Sequence, residues 1–89
     1  MRNHTYTIEW DRKAAKALES ITDKKLKEYV LDALENVIAR DPLVGKPLVG
    51  PLKGVRSYRI GVIRILYKHY KDRLVVVILD ITHRRNVYR

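Results

Sequence analysis

The most constraining feature of the sequence is the apolar run from Leu74 to Leu79, which contains no polar residue. A strand with one wet face alternates apolar and polar residues, whereas a strand covered on both faces is apolar throughout. The run therefore predicts an interior strand. Its two faces are covered either by this chain alone, or by the chain's own helices on one side and a partner on the other. Two strand-like segments precede it, and the short connections Gly61-Val62 and Lys71-Asp72 predict antiparallel hairpins.

The first half of the chain predicts one strand and two helices. Residues 4–10 alternate between aromatic or apolar side chains and polar ones, as in a half-buried strand. Asp11 can cap a first helix. Thr22 or Asp23 begins a second, longer helix, which ends at Asp41-Pro42 because the residue before proline disfavours helical backbone. The predicted apolar stripe of this second helix is Leu26, Val30, Ala33, Leu34 and Val37.

Residues 42–54 contain all three prolines and three of the four glycines, which predicts a loop. A loop of this length within a compact domain should be ordered by packing of its own apolar side chains. Those side chains are Leu43, Val44, Leu48, Val49 and Leu52. The predicted order is β-α-α-β-β-β. It is an α+β fold class in which two N-terminal helices pack on one face of a small, mainly antiparallel sheet.

Length and composition narrow the class of protein further. At 89 residues, the chain is expected to form a single domain over residues 1–89. It has no cysteine, which excludes disulfides and thiolate metal sites and fits a reducing compartment. No apolar segment reaches the roughly 18–20 residues that cross a bilayer, and residues 1–10 lack the apolar core of a signal peptide. We therefore expect a cytoplasmic protein without membrane association.

Positive charge is concentrated in the last third of the chain. The net charge is +9, and residues 55–89 hold nine basic and two acidic residues, including seven of the ten arginines. A solubilising surface is the alternative explanation, but lysine is the commoner solubiliser. Arginine instead presents a planar fork that matches phosphate in a bidentate way. The distribution therefore predicts a polyanionic partner.

Strand alternation predicts that several basic residues share one face of the sheet. The residues expected beneath the helices are Tyr58, Ile60, Ile65 and Tyr67. Arg59, Arg64 and Lys68 would then point away from the helices together, with the C-terminal HRR segment continuing from the last strand. Arg64 alone would be an ordinary solvated arginine, but two arginines on one face favour an anion site.

Three ordered motifs resemble the RelE/ParE toxin superfamily of toxin–antitoxin modules. They are Tyr58–Gly61 (YRIG), Arg64–Tyr67 (RILY) and His83–Tyr88 (HRRNVY). The opening segment YTIEWDRKAAKALESI and the segment LKGVRSY also resemble this superfamily, so the resemblance covers essentially the whole chain. It implies the RelE-like microbial RNase fold and a single RelE-like toxin domain.

The resemblance implies one of two activities. RelE-type toxins are ribonucleases that cut mRNA in the ribosomal A site without a metal or cofactor. The 2′-hydroxyl of the mRNA attacks the adjacent phosphodiester and leaves a 2′,3′-cyclic phosphate. ParE-type toxins instead poison DNA gyrase, and they commonly lack the full basic set and the terminal tyrosine. A non-catalytic nucleic-acid-binding domain is a third alternative.

The resemblance also implies roles for individual residues. Arg59 would lie near the scissile phosphate, Arg64 would clamp it, and Arg84 or Arg85 would stabilise the transition state or leaving group. Tyr88 would stack on a base or accept the proton. Further RNA-binding residues would be Lys53, Arg56, Lys68 and Arg89.

Some features leave the catalytic assignment open. Ser57 stands where the family has a second basic residue. A free tyrosine, with a pKa of about 10, is a poor base unless cations lower that pKa, so His83 is a further candidate for proton transfer. Both His83 and Tyr88 have a structural role as the alternative to catalysis. His83 would be a histidine at a strand end, and Tyr88 would be a hydrophobic anchor. No histidine spacing predicts a metal site.

The resemblance finally implies partners. Besides the ribosome and mRNA, these would include a cognate RelB-like antitoxin that is acidic, partly helical and wraps the toxin. The expected complex is a heterodimer or a heterotetramer.

Overall fold

The computed structural model describes residues 5–83, and its strands and α-helices follow the predicted order with one added strand. The strands are β1 (Thr7–Trp10), β2 (Lys46–Pro47), β3 (Arg56–Ile60), β4 (Ile63–Tyr70) and β5 (Val75–His83). The helices are α1 (Arg12–Glu19) and α2 (Lys24–Ala33), and α2 continues into a π-helical turn, Leu34–Ile38. The added element is β2, whose two residues are too few to show a strand period. Among the described residues, no helix has the length and apolarity needed to cross a membrane.

The strands form one mixed sheet in the order β1-β5-β4-β3-β2. β1 runs parallel to β5, and the three other pairings are antiparallel. This confirms the α+β class and the mainly antiparallel sheet. β5 is an interior strand, as its apolar run predicts, and the short β2 lies at the edge, where Pro47 is tolerated because an outward position needs no N–H.

Both helices pack on the same face of the sheet. Asp11 caps α1 by accepting a hydrogen bond from the Lys13 amide (3.3 Å), and Asp23 caps α2 by accepting one from the Leu26 amide (3.1 Å). The fully buried core includes Ala14, Val30, Leu34, Ile38, Ile63, Ile65, Tyr67, Val76 and Ile78. The prediction that the helices cover Ile65 and Tyr67 is confirmed, and Tyr58 and Ile60 pack against the same core. We call this the helix face, and the opposite side of the sheet the open face.

The π-helical turn changes which residue ends the apolar stripe of α2. The Ala39 amide donates to the Leu34 carbonyl (2.8 Å), five residues back, which inserts one extra residue into the turn. As a result Ile38 is fully buried, whereas the predicted Val37 is only half-buried. A regular 3.6-residue period cannot anticipate this insertion.

A bulge in β5 sets the orientation of its last residues. Leu66 pairs with Asp80 and Tyr67 with Ile78, so Leu79 is an extra residue on β5. Ile78 and Ile81 are both buried although they lie three positions apart, which strict alternation forbids. Beyond the bulge, Thr82 pairs with Arg64 and His83 with Ile63.

The two hairpin connections differ. Gly61 adopts a left-handed φ of 56° at the first position of a two-residue turn, as in a type II′ hairpin turn. The second connection is longer than predicted, spanning residues 71–74. The Arg73 amide donates to the Tyr70 carbonyl (3.2 Å), and Leu74 takes an unusual left-handed φ of 54°. The antiparallel hairpin predicted from Lys71-Asp72 is confirmed, but its connection has four residues rather than two.

The loop over residues 42–54 is held by hydrogen bonds rather than by its own apolar side chains. Leu43, Val44, Val49 and Leu52 are exposed, contrary to expectation. The buried Tyr67 hydroxyl instead donates to the Pro42 carbonyl (2.6 Å) and accepts from the Gly45 amide (2.9 Å). This burial raises the pKa of Tyr67 above its usual value of 10.0.

Candidate nucleic-acid interface

Arg59 and Arg64 lie directly opposite each other on β3 and β4. The turn at Gly61 fixes this pairing, because counting outward from Ile60–Ile63 brings the two arginines together. Both side chains are exposed, and both belong to the open face since their strand neighbours Tyr58, Ile60, Ile63 and Ile65 pack toward the helices. Directly opposed residues on one face have Cα atoms about 4.5–5.5 Å apart.

No carboxylate neutralises this arginine pair within residues 5–83. The one ion pair in that range joins Lys13 to Asp80 (3.5 Å), and the Asp80 carboxylate also accepts a hydrogen bond from the Ile81 amide (2.9 Å). Like charges directly opposed across strands destabilise a sheet. An anion placed between two guanidinium groups reverses that repulsion and gains charge-assisted hydrogen bonds.

Two hydroxyl side chains border the pair. Thr82 pairs with Arg64 on β5, so one row across three strands reads Arg59, Arg64, Thr82. Ser57, where the resemblance implies a second basic residue, lies on the same face of β3 and pairs with Leu66. Thr82 was not predicted, because its orientation depends on the bulge at Leu79.

The open face continues along β4 beyond the arginine pair. Leu66, Lys68 and Tyr70 follow Arg64 at every second position, so all four share this face. The guanidinium carbon of Arg73 lies 4.5 Å from the centre of the Tyr70 ring. The prediction that Arg59, Arg64 and Lys68 share the face is confirmed.

Arg56 lies on the helix face, whereas Lys68, also expected to bind RNA, lies on the open face. Arg56 pairs with the buried Tyr67, and its guanidinium donates to the carbonyls of Gly45 (2.6 Å) and Leu43 (3.3 Å). The resemblance implied that Arg56 binds RNA, whereas in the structure its guanidinium is hydrogen-bonded to the loop over residues 42–54. Lys53 is exposed within the same loop, outside the sheet.

His83 also lies on the helix face rather than beside the arginine pair. Its register partner is the buried Ile63, and it lines a cleft of about 480 Å³ together with residues of the α1–α2 connection, including Ser20 and Asp23. The structure does not bring His83 and Arg64 to the same face. The remaining predicted site residues, Arg84, Arg85, Tyr88 and Arg89, lie outside the described residues.

The site contains groups suited to binding anions rather than metals. Within the described part of the chain, no three His, Asp or Glu side chains are grouped as metal ligands. The open face offers instead two opposed guanidinium groups, one lysine and two hydroxyls, which can bind and orient a phosphodiester.

Sequence comparisons match this chain to toxins. Residues 8–88 match the family model described as ParE toxin of type II toxin–antitoxin system, parDE. Toxin RelG of Mycobacterium tuberculosis is 36% identical over 85 residues, which cover 94% of this chain and 97% of RelG.

Solved structures share the fold. A chain of the toxin–antitoxin complex RelBE2 from M. tuberculosis superimposes with a TM-score of 0.85 at 33% identity, covering 90% of this chain and 92% of that one. An arginine-to-alanine double mutant of E. coli toxin RelE in the free state has a TM-score of 0.73 at 13% identity, covering 94% and 88%. The YoeB/ParE toxin from Agrobacterium tumefaciens has a TM-score of 0.75 at 21% identity, covering 86% and 96%. The last two identities support the fold alone.

Proposed function

The chain belongs to the ParE toxin family of type II toxin–antitoxin systems, within the RelE/ParE superfamily, and we propose that it is a ribosome-dependent mRNA endonuclease of the RelE type. The family model extends over residues 8–88, which supports a single toxin domain. The 36% identity to Toxin RelG supports the RelE-type assignment. Since ribosomes are the proposed target, the proposed site of action is the cytoplasm.

The observation that carries this proposal is the pair of Arg59 and Arg64 on the open face, which has no ion-pair partner within residues 5–83. Cleavage by an internal 2′-hydroxyl passes through a phosphorane that carries more negative charge than the ground state. Fixed cations that contact this charge lower the barrier because they are oriented before the reaction begins. Two guanidinium groups on adjacent strands of a hydrogen-bonded sheet meet that requirement.

In the proposed reaction, the 2′-oxygen forms a bond to phosphorus while the bond from phosphorus to the 5′-oxygen breaks. A base removes the 2′-hydroxyl proton, and an acid protonates the leaving 5′-oxygen. Arg59 and Arg64 hold the non-bridging oxygens, and Arg84 or Arg85 would complete the cation set. Because His83 lies on the helix face, we propose Tyr88 as the group that accepts the proton.

The test is cleavage of mRNA on ribosomes carrying a defined A-site codon. Arg64→Ala should lower the cleavage rate by about 10²–10³ if the guanidinium contacts the transition state. Arg40→Ala, which removes an exposed arginine outside the strands of the sheet, should leave the rate unchanged. A 2′-deoxy nucleotide at the scissile position should abolish cleavage. Intact mRNA with the wild-type protein, or equal rates for the two variants, would overturn the proposal.

Gyrase inhibition is the second candidate, favoured by the description of the matching family model as a ParE toxin. It would leave mRNA intact on ribosomes and would inhibit DNA supercoiling by purified gyrase. Running both assays on one wild-type preparation separates the two activities.

We also propose an acidic, partly helical RelB-like antitoxin as the partner. RelBE2, a chain of which matches this fold closely, is a toxin–antitoxin complex. On the open face, Val75 and Val77 of β5 are only half-buried, and an apolar segment of a partner could cover them. Co-expression with the neighbouring gene should relieve toxicity, and light scattering of the purified complex would distinguish a heterodimer from a heterotetramer. Equal growth inhibition with and without that gene would contradict this assignment.

A further inference from the structure

We propose that the open face carries a second RNA subsite, a base-stacking platform formed by Tyr70 and Arg73 at the opposite end of β4 from Arg59 and Arg64. It would take a nucleobase of the single-stranded RNA whose phosphate the arginine pair binds. This inference rests on the proposed function and adds the path of the substrate across the protein.

The first argument is alignment along one strand. Arg64 and Tyr70 are six positions apart on β4, so both point to the open face, about 20 Å from each other at about 3.4 Å per residue. The bulge that shifts the register lies on β5, so β4 alternates without interruption over this length. Lys68 lies between the two ends on the same face and supplies a cation for the connecting phosphates.

The second argument is the chemistry of the platform. The guanidinium carbon of Arg73 lies over the Tyr70 ring, 4.5 Å from its centre, so a cation already covers an aromatic face. Arg73 is exposed and Tyr70 is half-buried. Proteins that bind single-stranded RNA on a sheet use aromatic side chains and arginine planes as stacking surfaces for splayed bases.

The alternative role for this pair is to brace the β4–β5 turn. An exposed cation–π contact contributes about 0.5–1 kcal/mol, so bracing alone is physically reasonable. Two features favour a ligand. The platform lies on the same face as an unneutralised arginine pair, and Lys68 lies between them. The acidic strand residues on this face are Glu9 on β1, which pairs with Val77 two strands away from β4, and Asp80 on β5, which pairs with Leu66 and forms an ion pair with Lys13. Repulsion from Glu9 would direct a polyanion along β4 rather than across β5.

The proposed subsite predicts that binding depends on the length of the RNA. At about 3.4 Å per nucleotide, the spacing along one strand of a stacked duplex, the distance from the arginine pair to Tyr70 corresponds to at most about six nucleotides, because splayed single-stranded RNA covers more distance per nucleotide. An RNA of about eight nucleotides can reach both ends of the open face, whereas one of about two nucleotides can reach only one. Occupation of the platform should therefore appear only with the longer RNA.

The experiment measures binding of fluorescein-labelled 2′-O-methyl oligonucleotides of both lengths to the purified full chain, without ribosomes. The methyl groups block the attacking oxygen, so binding is measured without cleavage. Tyr70→Leu should weaken binding of the longer oligonucleotide about tenfold, since stacking on one aromatic side chain contributes about 1–3 kcal/mol per base. It should leave binding of the shorter one unchanged. Arg64→Ala should weaken both and reduce the salt dependence by about one phosphate contact.

Two further variants keep the test interpretable. Arg73→Gln changes an exposed residue and should reproduce part of the Tyr70→Leu effect even if the latter variant is less stable. Tyr29→Leu removes an exposed tyrosine from α2 and should leave RNA binding unchanged. Equal effects of Tyr70→Leu and Tyr29→Leu, or no gain in affinity with length, would overturn the subsite.

The outcomes also separate this inference from the proposed function. Arg64-dependent mRNA cleavage together with unchanged binding by Tyr70→Leu would refute the platform and leave the nuclease standing. If Tyr70→Leu instead weakened only the complex with the co-expressed antitoxin, this end of the open face would be a protein interface, and the RNA subsite would be rejected. Length-dependent binding lost in Tyr70→Leu, without mRNA cleavage on ribosomes, would support the subsite and refute the nuclease.

Discussion

Arg59 and Arg64 oppose each other across β3 and β4, and within residues 5–83 neither guanidinium has an ion-pair partner. In the absence of a ligand this arrangement is unfavourable, because directly opposed like charges weaken a cross-strand pair. Bound phosphate would convert both charges into favourable contacts. The pair therefore links a small loss of stability to the capacity to bind RNA.

This link predicts that Arg59→Gln stabilises the free protein but lowers its mRNA-cleavage activity. Removing one of the opposed charges should raise the free energy of unfolding by about 0.2–1 kcal/mol at low salt, and the gain should shrink as salt screens the repulsion. Cleavage of mRNA on ribosomes should fall at the same time. Urea titrations at two salt concentrations measure the stability. Arg40→Gln changes an exposed arginine that is not in a strand and so has no cross-strand partner; it should show no gain, and a similar gain in both variants would contradict the explanation.

Local spacing was sufficient to predict that Arg59 and Arg64 share one face of the sheet. A two-residue turn at Gly61 fixes the register of β3 and β4, so counting outward places Arg59 opposite Arg64. Alternation along an uninterrupted strand then gives the face of every residue on β4. The cap at Asp11 was equally readable, and the second cap was limited to Thr22 or Asp23, of which the structure shows Asp23, because a cap depends on a few adjacent residues.

Features set by single-residue insertions or by distant contacts could not be predicted in this way. The bulge at Leu79 has no sequence signature, yet it determines that Thr82 lies beside Arg64 and that His83 lies on the helix face. The hydrogen bond from Tyr67 to Pro42 joins residues 25 positions apart, so no periodicity reveals it. The alternation that identified Tyr67 as buried gave no indication that its hydroxyl holds the loop.

Tyr67→Phe should release the loop over residues 42–54 while leaving the sheet intact. The change removes the partner of the Pro42 carbonyl and of the Gly45 amide, and both hydrogen bonds are buried. Leaving buried polar groups unsatisfied costs about 1–3 kcal/mol. Hydrogen exchange should accelerate at the Gly45 amide, and the free energy of unfolding should fall by that amount. Tyr58→Phe removes a hydroxyl that makes no hydrogen bond among the described residues and serves as the control; equal losses would refute the assignment.

Gly45→Ala should destabilise the same contact for a steric reason. Gly45 has an ordinary φ of −75°, so backbone strain is not the cause. An added Cβ would instead collide with the Tyr67 hydroxyl and approach its Cζ atom to 2.9 Å. Because both residues contribute to one contact, the losses in Gly45→Ala and Tyr67→Phe should not add in the double variant. Additive losses in urea unfolding would show that the two residues act independently. Gly54→Ala is a poor control because Gly54 has a left-handed φ of 94°.

His69 should make the stability of the protein depend on pH in the acidic range. Burial lowers the pKa of His69 below 6.5, and the charge of Arg56 acts in the same direction. The unfolded chain therefore binds a proton at a higher pH than the folded protein does, so stability falls as the pH drops below about 6.5. The imidazole of His69 lies edge-on to the Tyr6 ring, with 6.2 Å between the ring centres. His69→Phe keeps an aromatic ring in this position but removes the titratable group. Thermal unfolding from pH 8 to pH 5 should show the wild type losing more stability than this variant, and parallel curves below pH 6.5 would contradict the assignment.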